Sequence, residues 1–142
     1  MTTFFSTWQP HVLSLLRAVT GLLFMQHGGQ KILGFPVDQR APFDLFSLSG
    51  AAGILELVGG FLILIGLLTR PTAFVLSGFM AVAYFMAHAP QDFWPLANGG
   101  QLAVFYSFVF LYLFIAGGGE WSLDRLRTKH DPESRAAKPN AG

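Results

Sequence analysis

The sequence has no cysteine and few charged residues. Without cysteine, the chain cannot form a disulfide, a CxxC redox pair, a cysteine-ligated zinc or iron–sulfur site, or a c-type haem attachment. Charged residues make up 12% of the 142 residues, against roughly 25% in a typical soluble domain. Nine basic and eight acidic side chains are too few to coat a soluble core of this size. The net charge of +1 gives no basic field to hold phosphates, so we expect no nucleic-acid partner.

Long apolar runs are what the sequence has instead. Four of them cover residues 11–33, 47–68, 71–89 and 99–118. Each is close to the roughly 20 residues that a helix needs to cross the hydrocarbon core of a bilayer. The second and fourth show no polar face at helical period, which is typical of helices in lipid. The sequence therefore predicts an all-α integral membrane protein, an antiparallel four-helix bundle surrounded by membrane lipid.

The links between these runs suggest how they are arranged. The short link Thr69-Arg70-Pro71 makes the second and third runs antiparallel neighbours, and Pro71 suits the first turn of a helix. Three glycines at 117–119 are expected to end the fourth run. We expect a four-helix domain over residues 1–125 and a polar, disordered cytoplasmic tail over residues 126–142.

The distribution of lysine and arginine predicts an orientation. Six basic residues belong to the side that holds both termini and the second link: Arg70, Arg125, Arg127, Lys129, Arg135 and Lys138. The opposite side has Arg40, with Lys31 near its boundary. Because cytoplasmic flanks are enriched in lysine and arginine, we expect both termini in the cytoplasm of a multi-pass plasma (bacterial inner) membrane protein.

Several polar side chains fall inside the predicted spans, most of them near the outer ends. A charge in the middle of a bilayer costs about 2.5–3.5 kcal/mol, so each needs a partner or a wet cavity. Glu56, His27 and His88 are the candidate catalytic residues, for proton transfer or for hydrogen bonding to a quinone or substrate. The candidate substrate-binding residues are Arg17, Gln30, Lys31, Tyr84 and Gln101.

Structural roles compete with these functional ones. In a structural role, Lys31 would anchor its helix at the membrane interface, and His88 would be a hydrated residue at the end of a helix. Glu56 would hold the bundle in register by pairing with Lys31, His27 or Arg17. Beside a cation this carboxylate would stay ionised, whereas without a partner it would be neutral.

Two further groups of residues are of the types that form cofactor sites. Two histidines and one carboxylate could bind a metal, but their spacing matches no known motif, so we expect no metal site. The aromatic residues of the fourth run, Tyr106 among them, are expected to face lipid or pack.

Four sequence pieces together resemble the DoxX family of small four-helix membrane proteins. They are RAVTGLLFMQHGGQKILG at 17–34, ELVGGFLILIGLLTRPTA at 56–73, AVAYFMAHAP at 81–90 and NGGQLAVFYSFVFLYLFIAGGGEWSLD at 98–124. Their order and spacing cover almost all of residues 12–125. Gly29 is a departure, because the family more often has an apolar residue there. The resemblance carries over the family's polar positions: Arg17, His27, Gln30, Lys31, Glu56, Arg70, His88 and Gln101.

The resemblance also implies a kind of function. Some DoxX-like proteins are subunits of a thiosulfate:quinone oxidoreductase, and others associate with oxidative-stress proteins. We therefore expect a subunit of, or an accessory to, a quinone-linked membrane oxidoreductase system, with a protein partner in a redox complex and homo-oligomers as further expectations. The sequence shows no haem, flavin or iron–sulfur motif, so a quinone is the cofactor to consider. The alternatives are a non-catalytic membrane scaffold and a small proton-coupled transporter that uses Glu56.

Overall fold

The chain folds into helices. The computed structural model describes residues 2–37 and 44–130, and all regular secondary structure within these ranges is helical. The helices are α1 (Thr2–Leu33), α2 (Leu48–Ile65), α3 (Thr69–Ala83), α4 (Gln101–Ala116) and α5 (Leu123–His130), and a π-helical turn, Tyr84–His88, continues α3. The predicted all-α class is confirmed.

Local sequence signals fix both ends of α2. At its start, the Ser47 hydroxyl accepts a hydrogen bond from the Gly50 N–H at 3.0 Å. At its end, Gly66 takes φ of +68° and donates its N–H to the Ile63 carbonyl at 3.1 Å. Glycine adopts this left-handed conformation without a Cβ clash, so the helix stops there. The predicted run 47–68 therefore extends past the end of the helix.

Glycines bring α1 and α2 into close contact. A Cβ added at Gly21 would lie 2.8 Å from the Gly60 carbonyl oxygen, and one added at Gly28 would lie 2.5 Å from the Gly53 carbonyl oxygen. The two pairs are each seven residues apart along their helices, in opposite order, so α1 and α2 run in opposite directions. Small residues at such positions allow helix backbones to approach closely in membranes.

The pairing of α3 with α4 uses reciprocal hydrogen bonds. The Ser77 hydroxyl donates to the Ser107 carbonyl at 2.9 Å, and the Ser107 hydroxyl donates to the Ser77 carbonyl at 3.1 Å. Further contacts join α2 to α3 and α1 to α4, so the helices share a core. Its buried side chains are Phe24, Ile63, Ala73, Leu76, Met80, Ala103, Tyr106, Phe110 and Leu113.

The outer surface is apolar on all four long helices. Leu23 of α1, Phe61 of α2, Val75 of α3 and Phe108 of α4 are all exposed. Leu48–Ile65 and Thr69–His88 are long and apolar enough to cross a membrane, whereas α4, with 16 residues, is a shorter apolar helix. At 1.5 Å per residue α4 spans about 24 Å, somewhat less than a typical hydrocarbon core of about 30 Å. Of the four predicted spans, two thus have the required length and composition.

Helix α5 differs from the sequence-based expectation. The disordered tail was predicted to begin at 126, but the chain remains helical to His130. Asp124 explains why this segment is ordered, because its carboxylate accepts the Leu68 and Thr69 N–H groups at 2.8 Å each. It thereby caps the start of α3, and it holds Leu68 at a left-handed φ of +51°. Residues 38–43, with Arg40, and residues 131–142, with Arg135 and Lys138, lie outside the described residues.

Candidate functional site

A cavity of about 220 Å³ lies between the four long helices. Its polar lining comes from a different element in each case: His27 from α1, Glu56 from α2, His88 from the π-helical turn and Tyr106 from α4. Its remaining walls are Phe24, Met80, Gly99, Leu102 and Ala103. The structure therefore brings the three predicted catalytic residues together at one cavity.

Glu56 has one paired and one unpaired carboxylate oxygen. Its Oε1 lies 2.7 Å from the Lys31 Nζ, on the neighbouring helix α1. Its Oε2 is buried and has no hydrogen-bond partner among the described residues. Only 6% of the residue is exposed, whereas the Lys31 side chain is 28% exposed. The ion pair thus gives a hydrogen-bond donor to one of the two oxygens of this buried carboxylate. The other oxygen remains an acceptor to which no described group donates.

His88 is oriented by the loop that precedes α4. Its Nδ1 lies 3.0 Å from the Asn98 carbonyl oxygen. Because a carbonyl only accepts, Nδ1 must carry the proton, and in a neutral ring Nε2 is then the acceptor. The side-chain amide of Asn98, which is itself buried, donates to the Tyr84 hydroxyl at 3.3 Å. The Tyr84 ring stacks on His88 with centroids 6.3 Å apart.

The π-helical turn gives His88 its place in the cavity wall. One extra residue per turn over Tyr84–His88 rotates the end of α3 relative to a regular α-helix. Such turns occur often at functional sites in proteins. Nothing in the sequence pattern signals this turn, and Asn98 was likewise not predicted as a site residue.

Tyr106 has a place that the sequence predicted only in part. It was expected to face lipid or to pack, and it packs in the core at 6% exposure, but it also lines the cavity. Its ring contacts that of His27, an exposed residue, edge to face, with centroids 6.1 Å apart. The helical spacing of Ala103, Tyr106 and Phe110, which are all buried, was the signal for an inward face.

Arg17 lies far from the cavity. It precedes His27 by ten residues, which is about 15 Å along a helix. Its guanidinium donates to four backbone carbonyls, those of Ile63, Leu64, Gly118 and Trp121. It thus closes the end of α2 and holds the loop after α4. The structure does not bring it to the other predicted site residues.

The remaining predicted substrate-binding residues do not line the cavity. Lys31 is bound to Glu56, and Tyr84 is stacked on His88. Gln30 is half-buried, and Gln101 is exposed at the start of α4. The described part of the chain contains no group of three or more histidine, aspartate or glutamate side chains that could hold a metal ion.

Comparison with known proteins identifies the family. The model of the DoxX family matches residues 12–89. An uncharacterized protein of Haemophilus influenzae is 42% identical over 124 residues, which are 82% of this chain and 91% of that protein. An uncharacterized membrane protein of Mycobacterium tuberculosis is 30% identical, with 80% of each chain covered. The inner membrane protein YqjF of Escherichia coli is 32% identical over 80% of this chain and 89% of its own length. No solved structure matches. The chain belongs to the DoxX family of membrane proteins.

Proposed function

We propose that the protein crosses the inner membrane four times, as an antiparallel bundle with both termini in the cytoplasm. The excess of basic residues in the flanks of that side supports this orientation. Arg17 is compatible with a span because its N–H groups are bonded to backbone carbonyls rather than left unpaired. An apolar groove of about 680 Å³ between α2 and α3, lined by residues such as Val58 and Val75, would then face acyl chains.

Within that arrangement, the protein acts as a subunit of, or an accessory to, a quinone-linked oxidoreductase system. The observation that carries this proposal is the cavity that His27, Glu56, His88 and Tyr106 line together. It combines a small number of polar groups with apolar and aromatic walls, as ligand sites commonly do. Its volume of about 220 Å³ suits one small ring rather than a large cofactor. Quinones dissolve in the bilayer and would reach it from lipid.

The residues have distinct tasks in this proposal. His27, His88 and Tyr106 would hold the ring through hydrogen bonds, and Glu56 would hold or pass a proton. Reduction of a quinone consumes two electrons and two protons. The sequence shows no haem, flavin or iron–sulfur motif, so the electrons would come from a substrate, such as a reduced sulfur compound, or from a partner protein.

Gentle purification into lipid nanodiscs tests this function. We expect solvent extraction of the purified protein to yield a quinone, recognised by the change in its ultraviolet spectrum on borohydride reduction. An Ala103→Leu variant, which fills the cavity, should retain much less. Ala51→Leu adds the same bulk on an exposed face of α2 and should retain as much as the unmodified protein. Equal, background quinone in all three samples would contradict the proposal.

A non-catalytic scaffold is the second candidate, and two observations favour it. Lys31 and Glu56 tie α1 to α2, and Arg17 ties α1 to α2 and to the loop after α4. In a scaffold these polar contacts only hold the helices in register. A charge-neutral replacement of the Lys31–Glu56 pair would then leave the activity of any partner complex unchanged.

A further inference from the structure

We propose that the cavity binds a neutral ring through hydroxyl groups that donate hydrogen bonds to Glu56 Oε2 and His88 Nε2. Its ligand is therefore a hydroquinone or a related phenol, and not an anion. This inference rests on the proposed function, since it states which form of a quinone the cavity recognises.

The first argument is the unpaired oxygen of Glu56. A buried carboxylate oxygen without a donor is costly, so native structures usually satisfy it. Lys31 Nζ contacts Oε1 at 2.7 Å, and no described group donates to Oε2. The residue is more than nine-tenths buried and lines the cavity. The group that completes this carboxylate is thus a donor on a molecule inside the cavity.

The second argument is the hydrogen-bonding state of His88. Its Nδ1 proton is committed to the Asn98 carbonyl at 3.0 Å. A neutral imidazole then has only an acceptor, Nε2, to offer. The oxidised ring of a quinone carries two carbonyl acceptors, which match the Tyr106 hydroxyl but neither this nitrogen nor Glu56 Oε2. The reduced ring carries two hydroxyl donors, which match both.

The third argument is that, within residues 2–37 and 44–130, no lysine or arginine lines the cavity to hold an anion. Arg17 is about 15 Å along α1 from His27 and is bonded to backbone carbonyls. Lys31 is bound to Glu56 and does not line the cavity. An anion in the cavity would meet the Glu56 carboxylate without a counter-ion, which is unfavourable at low dielectric. Arg17 and Lys31, two of the predicted substrate-binding residues, therefore do not hold an anion in this cavity.

The fourth argument concerns the walls. Phe24, Tyr106 and Met80 offer aromatic faces and a polarisable thioether, which favour contact with a flat ring. Tyr84, whose ring stacks on the cavity residue His88, also lines a neighbouring aromatic groove of about 450 Å³ that includes Phe85.

Binding of matched probes tests the proposal. The full-length protein in lipid nanodiscs is titrated by calorimetry under argon, with empty nanodiscs subtracted, at a pH where histidine is neutral. The probes are trimethylhydroquinone, its dimethyl ether, trimethylbenzoquinone and benzoate. The ether keeps the ring but lacks both donors, and benzoate is a ring with a negative charge. We expect trimethylhydroquinone to bind at least tenfold more tightly than each of the others.

Two variants locate the binding. Glu56→Gln should weaken the binding of trimethylhydroquinone at least tenfold without a comparable effect on the ether. Ala103→Leu should abolish binding of every ring, and Ala51→Leu should change none. If Glu56→Gln fails to fold, the comparison of hydroquinone with ether in the unmodified protein, together with Ala103→Leu, decides. Equal binding of the ether, tighter binding of benzoate, or no binding of trimethylhydroquinone would overturn the inference.

The outcomes separate this inference from the proposed function. Protein that yields an extractable quinone but shows no preference for hydroquinone over ether contradicts only the inference. Protein that binds trimethylhydroquinone through Glu56 but yields no quinone, and has no effect on quinone reduction in membranes, contradicts only the proposed function.

Discussion

The guanidinium of Arg17 holds the carbonyl oxygen of Gly118, a residue 101 positions further along the chain, at 2.9 Å. Its other N–H groups bond the carbonyls of Ile63 and Trp121 at 2.5 and 2.7 Å. One planar cation thus closes the end of α2 and fixes the loop that joins α4 to α5. Because these acceptors and the fourth, the Leu64 carbonyl, are all backbone atoms, the contact depends on the fold and not on the identity of the partner residues.

We expect Arg17→Lys to destabilise the protein strongly. A lysine has one compact ammonium group and cannot reach carbonyls spread around a planar fork. Each buried carbonyl left without a donor costs about 1–3 kcal/mol. Thermal unfolding in detergent, followed by fluorescence, should therefore show a large drop in midpoint.

Arg70→Lys is the matched control for this substitution. Arg70 is exposed and donates to a single carbonyl, that of Phe114, at 3.1 Å. The same change of side chain should lower the midpoint only slightly there. Equal losses at the two positions would show that the carbonyl contacts of Arg17 contribute little to stability.

Glycine packing between α1 and α2 leads to a second prediction. A Cβ at Gly60 would lie 2.8 Å from the backbone nitrogen of Met25, so Gly60→Ala must push the helices apart. We expect a loss of about 1–3 kcal/mol in unfolding free energy, as is usual for overpacking. Gly78→Ala on α3 is the control, because a Cβ there meets nothing within 4 Å. Steric-trap or denaturant unfolding should find Gly78→Ala neutral or stabilising, since alanine favours helix.

Part of this structure could be predicted from the sequence alone. The position of each polar residue along its helix is a local property of the sequence. These positions were enough to predict that His27, Glu56 and His88 lie at the same level of the bundle. The partners of Arg17 could not be predicted, because every residue has a backbone carbonyl and none is marked in the sequence. The place of His88 depends on a π-helical turn and on a hydrogen bond to Asn98, and both arise from tertiary packing. Helix α5 looked like a polar tail because its docking depends on tertiary contacts of polar side chains, such as those of Asp124 and Glu120.

We expect the docking of α5 to be sensitive to acid through Glu120. Its hydrogen bond with Lys129 lowers the pKa of this carboxyl below the ordinary value, and the charge of Arg125 adds to this effect. A group whose pKa is lowered in the folded state stabilises that state above its unfolded pKa, and the contribution is lost as pH falls through the lowered value. We expect the protection factors of the 123–130 amides, which are the exchange rates corrected for the intrinsic effect of pH, to fall below that pH. In Glu120→Gln these protection factors should already be low at neutral pH and show no further response to acid. An unchanged acid response in this variant would exclude Glu120 as its cause.

The Lys31–Glu56 pair separates a structural role from a functional one. Lys31→Met removes the donor at 2.7 Å and leaves a buried carboxylate alone, so we expect a loss of stability. This loss of unfolding free energy should be smaller than the roughly 3–5 kcal/mol that is lost when one partner of a fully buried ion pair is removed, because Lys31 is partly exposed. The double variant Lys31→Met, Glu56→Gln removes both charges and should regain most of that stability. A double-mutant cycle of unfolding midpoints measures this coupling.

If the double variant is stable but no longer binds trimethylhydroquinone, Glu56 recognises a ligand. A double variant that is stable and binds it unchanged would show that the pair only holds α1 against α2.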